Sequence, residues 1–295
     1  VTVAIRPMHD QDVAAVEQLT DEGFYELDLR TVQRDWPDPE RRTAAHSKVW
    51  MARTRHFLAT DPGGCWVAEQ DGELVGAAAS FNRELMWILA TYAVRPGLQG
   101  QGIGAQLLAA ALQHGQGCLR GMLSASSDPK AVRRYRLAGF SLHPQMFLRG
   151  VVDRSTLPVV DRVRDGNAAD VDLMNSVDRQ TRGAAHGPDH EFLLENAARL
   201  VVADRTTGSG YAYVAENGSP LLLAATNRRT AADLLWESLA SSPPDGKVTV
   251  PHLTAVNEWA VDVGLAARLE LHQSGYLALR NMKPPAPYIH HGALL

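Results

Sequence analysis

What this chain lacks narrows it before anything it contains. It has two cysteines, Cys65 and Cys118, too far apart for a disulfide framework and in no metal-ligand spacing. Each is expected to pack as a small apolar side chain. Long apolar runs are missing too: the strongest, LMWILATYAV, is about half the length a helix needs to cross a bilayer. Positive charge is not in excess, since 29 Lys and Arg stand against 33 Asp and Glu for a net charge of -4. That balance excludes the basic field on which bulk nucleic-acid binding depends. The opening residues, VTVAIRPMHDQD, reach a charge at Arg6 and contain no leader-like apolar segment. A soluble, cytoplasmic chain with neither membrane nor nucleic acid as partner is the expectation.

What is present reads as an alternation of strands and helices. Hydrophobic residues make up 45% and charged residues 21% of the 295, enough apolar content for a packed core in one large or two ordinary domains. VAIRPM has the pattern of a strand, and Asp10 or Asp12 would cap a helix whose Val13, Val16 and Leu19 fall on one face. Residues 21–60 read as helical, broken at Trp36-Pro37-Asp38-Pro39. CWVAEQDGELVGAAAS is a hairpin turning at Asp71-Gly72. A strand over 85–94, a glycine-rich loop and a helix to about His114 follow, then LRGMLSAS as strand, PKAVRRYRLAG as helix and QMFLRGVV as strand.

The order then starts again. VRDGNAADVDLM lies on IRPMHDQDVAAV at constant offset, with Arg164 on Arg6, Asp170 on Asp12 and Val171 on Val13. Strand and helix patterns repeat in order as far as SGYLALRN. Two tandem copies of one α/β domain are expected, over residues 1–153 and 154–283. An irregular tail over 284–295 would leave His290 and His291 solvated.

Chemistry concentrates in VRPGLQGQGIGAQLL, residues 94–108. A strand feeding a glycine-rich loop that opens a helix is an anion-binding arrangement. The first helical turn leaves N–H groups without partners, the helix dipole adds positive potential, and glycines at 100, 102 and 104 let phosphate oxygens approach. The spacing is neither GxxxxGK[ST] nor GxGxxG. Gln99-x-x-Gly102-x-Gly104, five residues after Val94, closely resembles the acetyl-CoA pyrophosphate loop of the GNAT N-acetyltransferase superfamily. DPKAVRRYRLAGF is similar to a second GNAT pattern, through Asp128, Ala131, Tyr135 and the Gly139-Phe140 pair.

That resemblance implies an α/β (α+β) architecture of two tandem GNAT folds, each with a mixed, mostly antiparallel central sheet flanked by helices. It implies acetyl-CoA as cosubstrate and no metal. The cofactor contacts would be Tyr92, Ala93 and Val94 on the strand, Gln99, Gly100, Gln101, Gly102, Ile103, Gly104 and Ala105 in the loop, and Asp128, Ala131 and Arg134 on the next helix. Lys130 and Arg133 would lie toward the phosphates. Tyr135 would stand beside the sulfur and protonate the departing thiolate. For the general base the strand offers no central carboxylate, Ile88 standing there; Glu84, near its start, is the candidate, with Glu26, Asp28 and His56 on the helices that would cover the acceptor. FYELDLRTVQRDWP would line the acceptor side. The acceptor would be a small-molecule amine or a peptide N-terminus, on a monomer or a homodimer. The same residues would also suit a non-catalytic acyl-CoA sensor or scaffold. In the second copy the corresponding loop, Thr226–Ala232, has no glycine, and laying Gly139-Phe140 on Gly264-Leu265 puts Ala260 at the tyrosine position. A degenerate copy is expected there, and one cofactor site in the chain.

Overall fold

Period-two runs become strands and three-to-four-residue repeats become helices in the computed structural model, which describes residues 2–32, 36–161 and 163–295. Residues 33–35, within the stretch expected to line the acceptor side, lie outside the described residues. Internal contacts divide the chain into two units: residues up to Leu119 with Ser127–Arg134, and Arg120–Ser126 with Tyr135–Leu295. Among the described residues no helix is long and apolar enough to cross a membrane.

The first unit runs β1 (Ala4–Pro7), α1 (Val13–Thr31), α2 (Ala44–Thr60), β2 (Cys65–Gln70), β3 (Glu73–Arg83), β4 (Met86–Val94) and α3 (Ile103–His114). Its strands pair antiparallel in the order β1-β2-β3-β4. The β2–β3 turn uses Asp71 and Gly72 at φ 53° and 81°, the double left-handed geometry that a tight hairpin requires. Successive residues of β3 face opposite ways. Ser80 Oγ donates to Ala111 O of α3 at 3.2 Å, while the Phe81 ring stacks on Phe57 of α2 with centroids 4.8 Å apart. Thus α3 covers one face of the sheet and α2 the other. Phe57 and Phe81 are fully buried, which stabilises the fold by about 1.5–3 kcal/mol for each ring. Glu17 of α1 accepts from Arg42 Nη1 at 3.1 Å and from Ser47 Oγ at 2.9 Å, tying the two helices together.

The second unit begins with β5 (Arg120–Ala125) and takes up the end of α4 (Pro129–Leu137) and then β6 (Ser141–Val151). It continues through β7 (Arg164–Asp165), α5 (Val171–Thr181), α6 (Asp189–Asn196), β8 (Arg199–Arg205), β9 (Gly208–Val214) and β10 (Pro220–Ala225). Next come α7 (Arg228–Ala240), β11 (Lys247–Leu253), α8 (Glu258–Ala266), β12 (Glu270–Arg280) and β13 (Tyr288–Ile289). The antiparallel order β7-β8-β9-β10 repeats that of β1 to β4. So does a local clamp. Arg6 meets Asp12 at 2.8 and 3.0 Å and Asp12 accepts from His9 N; Arg164 meets Asp170 at 2.6 and 3.0 Å and Asp170 accepts from Asn167 N. Asp12 therefore works from inside the first turn, through the His9 amide, and does not cap α1 with its side chain.

Two features of this unit were not readable from composition. The last strands are interleaved: β12 pairs with β5 on one side and β6 on the other, and β6 pairs in turn with β11. Moreover, the tail is ordered where a solvated one was expected. β13 adds to the edge of β10 through Leu223↔Ile289 and Ala224↔Tyr288, and Asn257 holds the tail backbone at Pro285 O and Tyr288 N, at 3.1 and 3.0 Å. His290 is buried, stacked on His252 with centroids 4.3 Å apart and bonded to Gln145. Backbone pairing to a strand edge fixes this segment, a cause that side-chain patterning does not record.

Asp178 of α5 sits at the centre of a buried polar cluster. It accepts from His186 Nδ1 at 2.8 Å, His190 Nε2 at 3.2 Å and the Tyr211 hydroxyl. Burial alone would raise its carboxyl, but His186, His190 and the Arg182 charge outweigh that and hold it far below the usual carboxylate range.

Candidate cofactor site

β4 carries an extra residue at Ala90: Ala79 lies opposite Thr91 and Ser80 opposite Leu89, a bulge that bends the strand before it reaches the loop. Beyond Val94 the chain is pinned by Arg95, whose N–H donates to Val75 O at 2.8 Å and whose guanidinium meets Glu73 at 2.7 Å. The loop glycines then divide into two kinds. Gly100 and Gly102 both hold φ 90°, and a Cβ at either would meet nothing within 4 Å, so the backbone conformation demands glycine and the space above it stays open. Gly104 has ordinary helical geometry, but a Cβ there would fall 2.4 Å from the Tyr92 hydroxyl. Its role is close packing of α3 on β4, a correction to the expectation that all three glycines clear a path for phosphate. Burial pushes the Tyr92 phenol up to about 12 against the lowering charge of Arg134.

α3 opens on Gly102, which offers no side-chain cap. Gln106 N donates to Gly102 O at 3.2 Å, so the amides of Ile103, Gly104 and Ala105 precede the first intrahelical bond. These N–H groups and the helix dipole make a positively polarised, uncapped end beside open space. The first turns of α4 belong to the same unit and close on the loop. Asp128 Oδ1 caps that helix at Lys130 N and Ala131 N, at 2.7 and 3.3 Å. Gln99 bridges the parts, accepting from Lys130 Nζ and donating to Val94 O, both at 3.4 Å. Sequence reading missed this bridge, because a glutamine and a lysine 31 residues apart carry no local signal.

Tyr92, Ala93, Val94, the loop from Gln99 to Ala105, Asp128, Ala131 and Arg134 all lie in the first unit, where Gln99 meets Val94 and Lys130, and Arg134 acts on Tyr92. Tyr135 follows on α4, is buried, and lies in the second unit. Glu84 is misplaced by the sequence reading. It belongs to the β3–β4 turn and not to the strand, exposed, at φ 52° and at the far end of β4 from the loop. A two-residue turn with a left-handed position took the place of the first strand residues. On α1 and α2, burial raises the Asp28 carboxyl, and the His56 ring lies 5.9 Å from that of Phe57.

The second copy differs at the same points. α7 is capped by Asn227, whose Oδ1 accepts from Thr230 N at 2.9 Å, so one of its first-turn amides is already taken. The helix ends align as well. Gly139 N and Phe140 N donate to Arg136 O and Tyr135 O, just as Arg268 N and Leu269 N donate to Leu265 O and Gly264 O. Arg268, at φ 65°, takes the left-handed place of Gly139. The tyrosine position therefore falls on Gly264 and not on Ala260, since matching glycine to glycine shifted the register by one turn. Either way no phenol stands there.

Comparison with known proteins bears on the first part of the chain. Residues 22–140 match the acetyltransferase (GNAT) family, a span holding the loop, the start of α4 and Tyr135. The likeness to a GNAT acetyltransferase domain is that of this span. A candidate acetyltransferase from Pyrococcus horikoshii superposes with a TM-score of 0.74 at 18% identity, covering 99% of this chain and 95% of its own. A GCN5-related N-acetyltransferase from Kribbella flavida gives 0.62 at 15% identity, over 94% of this chain and 70% of its own. These two likenesses are of fold. Mycothiol acetyltransferase of Streptomyces avermitilis is 39% identical over 88 residues, 28% of this chain and 29% of that protein, so the match spans less than a third of the relative. A GNAT domain of this family works with acetyl-CoA, and the open, uncapped start of α3 suits the pyrophosphate of such a cosubstrate. Among the described residues the one convergent set of metal-type donors is Asp178, His186 and His190, within 4.8 Å of one another. Tyr211, Tyr213 and Tyr288 bond this trio from outside, and the Arg182 charge already balances Asp178.

Proposed function

We propose that the protein transfers an acetyl group from acetyl-CoA to an amine, with one cofactor site, in residues 1–153, and a second GNAT-like copy over 154–283 that has none. The observation that carries this reading is the contrast between two equivalent helix starts: α3 opens uncapped on left-handed Gly102, whereas α7 is closed by its own Asn227. The amides of Ile103, Gly104 and Ala105 would hold the pyrophosphate, with Lys130 and Arg134 adding charge at its rim. The end of β4, from Tyr92 to Val94, would align the pantetheine arm. The cosubstrate supplies an activated thioester; the chain supplies position and a proton. Tyr135 would donate that proton to the leaving sulfur, a phenol of ordinary pKa ~10 being able to do so. Glu84 is too remote in the turn to serve as the base, so the amine would lose its proton to water or to an α1–α2 group such as Asp28.

The test is thiol release from acetyl-CoA across an amine panel, wild type beside Tyr135→Phe. The expected result is turnover on at least one amine, with kcat lowered by about 10²-fold or more in the variant and CoA affinity retained. Tight CoA binding with no amine consumed would replace this reading by that of an acyl-CoA sensor.

A further inference from the structure

Around α1 and α2 the described arginines come with carboxylates, with one exception. Arg30 meets Asp128 at 4.0 Å, Arg41 meets Asp21 at 3.1 Å, Arg42 meets Glu17 at 3.1 Å and Arg55 meets Asp10 at 2.9 Å. Arg53 forms no ion pair among the described residues, and its Nε is sealed from solvent without a hydrogen-bond partner. Its recorded neighbour is Trp50, one turn earlier on α2, with the guanidinium carbon 5.8 Å from the ring centroid; the Arg42 guanidinium lies over the same ring at 5.0 Å. Burial, and secondarily the charge of Arg42, push the Arg53 pKa down to about 10, which still leaves it charged at neutral pH. Arg53 is half-buried, and a sealed guanidinium Nε with no partner among the described residues is costly to the fold. It is the state expected of a group whose counter-ion arrives with a ligand.

The position and the charge count narrow that ligand. α2 covers the sheet face opposite α3, as the Phe57–Phe81 and Ser80–Ala111 contacts show, so Arg53 is on the other side of the sheet from the helix that opens at the glycine loop. It is therefore not placed for the cofactor's phosphates. Arg42 is spent on Glu17 and Thr20, leaving Arg53 as the one guanidinium here without an ion pair among the described residues, enough for a carboxylate and too little for a phosphate dianion. Phe24 and Val49 expose apolar surface on these two helices. We infer that Arg53 receives the carboxylate of the acceptor, so that the acceptor is an amino acid or a close relative bearing both amine and carboxylate, and not a polyamine. The inference rests on the transferase reading and names its acceptor class.

The experiment compares free amino acids with their carboxamides as acceptors for the full chain, wild type beside Arg53→Met and Arg55→Met, together with CoA affinity and thermal unfolding of each protein. The expected result is an amino acid preferred over its carboxamide by about tenfold or more in kcat/KM, as a charged hydrogen bond provides. Arg53→Met should bring that ratio near one through KM, without lowering Tm, while Arg55→Met keeps the preference. Equal use of acid and amide by wild type, or loss of CoA affinity in Arg53→Met, overturns the assignment while leaving acetyl transfer intact. If no amine is consumed, the transferase reading falls and thermal shift decides: stabilisation of wild type but not Arg53→Met by amino acids keeps the carboxylate site, and no shift removes it.

Discussion

Two glycines two residues apart should fail in different ways when each becomes alanine. At Gly102 a Cβ has open space but the backbone sits at φ 90°, so the penalty is conformational, about 1–2 kcal/mol for an L-residue. A free loop can relax out of that conformation and must be drawn back to present its amides. The strain is then felt on binding, and the CoA Kd should rise about 5–30-fold with little change in Tm. At Gly104 the backbone is relaxed, but the new methyl would lie 2.4 Å from the Tyr92 hydroxyl and 3.3 Å from its Cζ. Tyr92 is partly buried between α3 and β4, so the overpacking should cost about 1–3 kcal/mol of stability. That corresponds to a fall in Tm of roughly 2–10 °C. Isothermal titration with CoA and a thermal scan on each variant separate the two. Wild-type CoA affinity in Gly102→Ala would refute the loop's assigned role, and an unchanged Tm in Gly104→Ala would refute the close approach of α3 to β4.

Two further predictions concern stability and acid. Asp61, nearly sealed from solvent, pairs with Arg83 at 2.8 Å and His114 at 3.1 Å; burial alone would raise its carboxyl, but the His114, Asn82 and Arg83 hydrogen bonds outweigh it and hold it well below the usual range. Its contribution is thus present above pH ~4 and lost as pH falls through the depressed value. Asp61→Asn should strand a buried Arg83 at a cost of about 3–5 kcal/mol in urea unfolding, and a loss below about 1 kcal/mol would count against the pair. Burial lowers His252 to about 4, so between pH ~6.5 and 4 the unfolded chain holds a proton the native chain does not. Stability should therefore fall as pH drops through that window, by about 3 kcal/mol from this group. His252→Asn, suited to the left-handed φ of 59° there, should flatten that limb of the pH–stability curve, and an unaltered slope would exclude His252 as its source.

The parts of the fold that depend on near neighbours were legible in the sequence. Asp71-Gly72 forced its turn, the glycines of 97–104 marked the break between β4 and α3, and the Arg6–Asp12 clamp recurred at Arg164–Asp170 as the repeat required. The family followed from Gln99, Gly102, Gly104 and the Asp128 helix for the same reason. What escaped depends on distant partners or on backbone. Ser141 donates to Leu279 O across 138 residues, β13 is held by β10 and Asn257, and Glu84 sits in a two-residue turn ahead of β4. Arg53 escaped as well, because an arginine whose Nε finds no partner among the described residues reads in sequence like any other.

The interleaving of β12 between β5 and β6 bears on how the protein is made. β5 waits through the synthesis of well over a hundred residues before its ladder partner emerges, so the first copy cannot complete its edge on the ribosome ahead of the second. A gene cut at the internal boundary would yield two pieces, each with a long strand lacking a neighbour and prone to aggregate. Removing β12 would open β5 and β6 together, so a change near residue 275 reaches strands more than a hundred residues upstream.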